Sequence, residues 1–153
     1  MVVEAAELCR KSAGVDATLL DDPELPATLL ELEDAHRLID SAMAHVSAEL
    51  EHRELCVDEY GLQTASWFAR ESRSPIGAAR RRVQVAAQLR HQLHVVDDAL
   101  AEARITWSHA EVLAWAAGNE RIGEQIAALA PHFVDVASEM PFAPWKQLVV
   151  DTT

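Results

Sequence analysis

Glycine is scarce in this chain, with five in 153 residues, and aromatic content is only 5%. Nothing alternates apolar and polar over a useful length, so little here supports a β-sheet protein. No apolar run approaches the roughly 20 residues that span a bilayer, and no membrane segment is expected. The N-terminal MVVEAAELCRK lacks a basic start followed by an apolar stretch and a cleavage site. No secretory signal is therefore expected, and a cytoplasmic location is. The two cysteines, Cys9 and Cys56, are solitary and far apart, and they are expected to be free thiols. Positive charge is also short. Thirteen Lys and Arg face 25 Asp and Glu, a net charge of −12 that opposes wholesale coating of a polyanion.

Helix formers fill what remains. Half of the residues are hydrophobic, mostly Ala, Leu and Val. The composition points to an all-α fold, a multi-helix bundle with one long amphipathic helix and a helix-turn-helix-like pair. Residues 1–24 form a partly helical N-terminal segment, helical over 2–11 and then a loop ending in Asp21-Asp22-Pro23. Residues 25–153 form a single helical domain with no repeat or linker inside it.

The long helix is expected from near Pro26 to about Leu55. Leu29, Leu32, Ala35, Ile39, Ala42, Met43, Val46 and Leu50 step by three and four, and form the stripe it would bury. Its acids lie mainly off that stripe. A seam of this length also suits packing against another subunit. Val57 to Gly61 reads as a turn. A short helix from Thr64 to Glu71 follows, with Thr64 as its cap and Trp67-Phe68 driving burial. Ser74 as N-cap and Pro75 as first helical residue start the next helix, which runs to about Gln92. Residues 95–104 are helical. Ser108-His109-Ala110-Glu111 has capping-box spacing and opens a helix to Ala117, ended by Gly118. Glu120 to Ala130 is helical, Pro131 interrupts it, and His132 to Met140 resumes. Pro141 and Pro144 bracket a turn before a last helix through Val150.

Charge singles out one stretch. Residues 61–95 hold six arginines (70, 73, 80, 81, 82 and 90) and one acid, Glu71, a local +5. On the helix after Pro75, Ala79, Val83, Ala86 and Leu93 cluster on one face. Gly77, Arg80, Arg81, Gln84, Gln88 and His91 cluster on the other. Arg and Gln are the side chains best suited to phosphates and base edges. Arg73, Arg80, Arg81, Gln84 and Gln88 are therefore the candidate nucleic-acid contacts, with helix 75–92 presented to a major groove. The competing reading makes the arginines internal partners for the surplus acids, and the long helix a surface for self-association.

Other constellations are weaker. His45, Glu49 and His52 share a helix face but lack a fourth ligand, and His91 and His94 stand in the same position. No metal, cofactor or catalytic residue is expected. Trp67, Trp107, Trp115 and Trp145 are expected as core anchors, with Trp107 and Trp115 close enough to pack together.

The segments Tyr60-Gly61, Thr64-Ala65-Ser66-Trp67-Phe68-Ala69, Ser74-Pro75, Ala78-Ala79-Arg80-Arg81-Arg82-Val83 and Ile105-Thr106-Trp107-Ser108-His109-Ala110 carry a family resemblance. In this order they resemble the actinobacterial family called domain of unknown function 222 (DUF222), or the 13E12 repeat family. The resemblance runs from about Leu29 to Val150, with Phe68 where the family usually has Leu. Members commonly carry an HNH nuclease module after the helical domain, so the resemblance implies a DNA-directed setting and a nuclease partner. An HNH centre needs a metal-ligating His, an Asn and a second His on a ββα unit. His109, Asn119 and His132 occur in that order, but on helical sequence with no strand pair. The expectation is the helical module without its nuclease, not an enzyme.

Overall fold

The computed structural model describes all 153 residues as nine α-helices and a 3-10 turn, without strands. Two compact units emerge, Met1–Asp34 and Ala35–Thr153, and the division falls inside the long helix.

The first unit holds α1 (Val2–Ala13), the 3-10 turn Ala17–Leu19 and the first turns of α2 (Glu24–His52). Helix α1 buries no residue, and its Val2, Val3 and Leu8 lie open to solvent. Asp21 and Glu24 start α2 reciprocally. The Asp21 N–H donates to the Glu24 carboxylate at 2.9 Å, and the Glu24 N–H to the Asp21 carboxylate at 2.9 Å. These bonds satisfy two N–H groups that a helix start otherwise leaves open.

The second unit continues α2 and adds α3 (Leu55–Tyr60), α4 (Thr64–Ser72), α5 (Ile76–His91), α6 (His94–Ala101), α7 (Trp107–Ala117), α8 (Gly123–Ala137) and α9 (Phe142–Asp151). Helices α5 and α7 form its centre. α5 packs on α4, α6 and α7, and α7 also packs on α8 and α9. Leu89, Leu93, Leu100, Leu113, Ile126 and Phe133 fill the space between them. Trp145 is fully buried, and its indole N–H donates to the Phe133 carbonyl at 2.8 Å, the pairing a sequestered indole requires.

Several boundaries depart from expectation for identifiable reasons. Val57 to Gly61 is not a simple turn. Residues 55–60 are helical, and Gly61 closes them at φ 65°, where a side chain would be strained. Thr64 does not cap α4; it is the first helical residue and is buried. Ser74 does not cap α5 either. Its hydroxyl accepts from Ser72 at 2.8 Å, and Pro75 stands just outside the helix. The capping box of α7 lies two residues earlier than expected, where the Thr106 N–H donates to His109 Nδ1 at 3.2 Å. Pro131 sits inside α8 without ending it. The ring is exposed and the flanking faces are packed, so tertiary contacts outweigh one lost backbone bond. At the start of α8, a Cβ on Gly123 would lie 2.3 Å from the Ala117 carbonyl oxygen, and only glycine allows that approach.

The largest correction concerns α2. Ile39 and Val46, from the stripe expected to be buried, are 40% and 61% exposed. The face turned inward in the second unit is Asp40, Ser41, Ala44 and Ala48. Ion pairs fix this rotation. Asp40 meets Arg82 at 3.0 Å, Glu49 meets Arg90, and His45 meets Asp97 at 2.9 Å. The small side chains Ala44 and Ala48 lie between these pairs, and the larger apolar residues point away.

Candidate nucleic-acid interface

The backbone that presents the arginine cluster is set by the residues between α4 and α5. Arg73 follows α4 in a left-handed conformation, φ 56°, and closes it with its N–H on the Arg70 carbonyl at 3.4 Å. Pro75 then enters α5 already extended. Within α5, Ala79, Val83, Val85, Ala86 and Leu89 are buried, and the opposite strip is open. The expected two-faced helix is therefore present.

The six arginines of the island divide into two groups. Arg70 pairs with Glu71 at 2.7 Å on the surface. Arg82 is mostly covered, bonds the buried Asp40 and stacks its guanidinium 4.5 Å from the Trp107 ring centre. Arg90 engages Glu49, whose carboxyl falls to about 2 because Arg90 and then Arg53 hydrogen-bond its charged form. Arg73, Arg80 and Arg81 are exposed and engage no acid at all. Three consecutive arginines thus do different things: Arg82 holds α2 to α5, and Arg80 and Arg81 face water.

Gln84 is exposed beside Arg81. Gln88 is half-buried, and its side-chain oxygen accepts from Gln92, which also donates to the Ala117 carbonyl at 3.2 Å. Of the five candidate contacts, Arg80, Arg81 and Gln84 share the open strip, Arg73 stands on the turn before it, and Gln88 is occupied within the fold.

Sequence reasoning missed one residue of this surface. Trp115 is 66% exposed, whereas Trp145 is buried, Trp107 lies under Arg82, and Trp67 stacks on Tyr60 at 5.6 Å. Trp107 and Trp115 do not pack together. Trp115 lies on the solvent strip of α7 and shares a cleft with Arg81 and Gln84. Alanine and leucine surround it in SHAEVLAWAA, so apolar periodicity alone could not separate it from the core positions.

The metal-like sets disperse in the fold. His45 binds Asp97, and Glu49 binds Arg90 and Arg53. His109 is buried on α7 against Trp145, ring centres 4.5 Å apart, Asn119 caps the Arg121 N–H, and His132 is exposed on α8. Burial, then the Arg37 charge, lowers the His109 pKa. Because His109 Nδ1 accepts the Thr106 N–H, the neutral ring carries its proton on Nε2, which has no hydrogen-bond partner and lies among the rings of Trp145 and Phe142. No group of three or more His, Cys, Asp or Glu side chains is arranged to hold a metal ion, and no helix is long and apolar enough to cross a membrane. Comparisons with protein-family models, curated proteins and solved structures found no match.

Proposed function

We propose that this chain is a non-catalytic helical module that contacts nucleic acid through the open strip of α5. One observation carries the reading: Arg73, Arg80 and Arg81 have no acidic partner in a chain with 25 acids, while Arg82 and Arg90 next to them do. Surplus acids would be the nearest partners for any arginine, so unpaired guanidinium groups on this strip and on the turn before it suit an anionic partner from outside. Arg80 and Arg81 supply phosphate contacts, and Gln84 lies where a base edge would meet it. The resemblance to the DUF222 family supports DNA as the polyanion, with an HNH-type nuclease module as the activity it serves.

Mobility-shift titration with duplex DNA at two salt concentrations tests this. The chain binds at low salt, and Arg80→Ala/Arg81→Ala lowers the log–log salt slope by about 2, roughly 0.9 per phosphate contact. A variant that binds as wild type, or a wild type that binds nothing at low salt, refutes the reading.

A second reading, self-association without nucleic acid, is favoured by the outward face of α2 in the second unit. Leu38, Ile39 and Val46 are exposed there while Ala44 and Ala48 are buried. Sedimentation separates the two readings: a dimer that Ile39→Lys/Val46→Lys dissolves supports assembly, and a strict monomer removes it.

A further inference from the structure

Helices α5 and α9 both pack on α7, and the solvent strip of α7 lines a cleft of about 570 Å³ with them. Glu111, Val112 and Trp115 come from α7, Arg81 from α5, and Phe142 and Lys146 from α9. We propose that this cleft takes an unpaired base of a single-stranded nucleic acid, stacked on Trp115, with the flanking phosphates on Arg81 and Lys146. The proposal rests on the nucleic-acid reading of α5 and narrows it to the class of strand.

Three features lead there. A tryptophan left 66% exposed forgoes the burial that its large apolar surface would otherwise gain, and an outside partner restores it. Cations from two different helices, Arg81 and Lys146, stand at the same cleft, and neither is engaged by an acid. An aromatic platform between cations is the arrangement that binds single strands with little sequence preference. Glu111, one turn before Trp115, is half-buried and also unpaired. Its carboxylate repels phosphate from the cleft and accepts hydrogen bonds, so the base edge belongs inside and the backbone beside the cations. In a duplex, neighbouring bases cover both faces of each interior base. The indole can therefore stack only on an unpaired or terminal one.

Anisotropy titration of a short dye-labelled single strand, and of the duplex of the same sequence, tests this with wild type, Trp115→Leu and Trp115→Phe. Wild type is expected to prefer the single strand. Trp115→Leu loses roughly tenfold on the single strand and little on the duplex, and Trp115→Phe keeps most of the affinity because a ring remains. Trp115 is exposed, so these variants fold, and thermal melts check that. Equal single-strand affinity for wild type and Trp115→Leu overturns the stacking site and leaves the α5 reading standing if duplex binding still needs Arg80 and Arg81. If wild type binds neither strand form, both fail.

Discussion

Replacing Arg82 with methionine removes the guanidinium that faces Asp40 and keeps most of the side-chain volume. Asp40 is 5% exposed, so the variant leaves a carboxylate in the interior without its partner at 3.0 Å. Breaking a buried pair from one side costs about 3–5 kcal/mol. The Arg82 side chain is 22% exposed, which lets water assist and places the cost near the low end. Loss of the stacking over Trp107 adds about 0.5–1 kcal/mol, offset in part by the methionine's own contacts. The sum is about 3 kcal/mol. In a chain of this size that lowers Tm by about 6–12 °C, at roughly 2–4 °C per kcal/mol. Arg81→Met, one residue earlier and exposed, changes stability by less than about 0.5 kcal/mol. Thermal and urea unfolding followed by far-ultraviolet circular dichroism measures both. Adding Asp40→Asn to Arg82→Met is expected to recover part of the loss, since the stranded charge is gone. Equal stability of the two methionine variants would refute the division of labour drawn among the three arginines.

Burial lowers the His109 pKa, so the unfolded chain takes up that proton first as pH falls; stability is full above the unfolded value of about 6.5 and declines below it. Urea midpoints from about pH 7 to about pH 5 should fall in wild type, with a shallower slope in His109→Gln whatever that variant's absolute stability. Glu49, held at about 2 against 4.5, adds a later loss between those two values that Arg90→Ala reduces. Gly123→Ala forces α8 off the Ala117 carbonyl and should cost about 1–3 kcal/mol in the same urea assay; a neutral result would mean the α7–α8 junction yields freely. In the native protein Cys9 is exposed and Cys56 buried, so one thiol reacts with a disulfide reagent at once and the second only on unfolding.

Helix content and the two faces of α5 were legible in the sequence because both follow from local periodicity. Ala79, Val83 and Ala86 recur at helical spacing, and the fold buries all three. The rotation of α2 was not legible. Leucine, isoleucine and valine outrank alanine in any burial scale, yet long-range ion pairs with Arg82 and Arg90 turned Ala44 and Ala48 inward. The status of individual arginines was equally hidden, since Arg81 and Arg82 are identical until α2 is in place. Pro131 read as a break because its sequence signal is local, while packing of Ile126, Ala130, Phe133 and Val134 holds α8 continuous across it. Trp115 read as a core anchor because a tryptophan's default is the interior, and it stands 66% exposed instead.

The left-handed Arg73 sets a small cost at the turn that presents the arginine strip. Glycine adopts φ 56° without steric cost, whereas a residue with a Cβ gives up roughly 1 kcal/mol there. Nothing within the fold engages the Arg73 side chain. Glu54 and Ala103 take the same left-handed conformation, at φ 53° and 56°, so this chain carries the cost at three turns where glycine, as at Gly61, would avoid it.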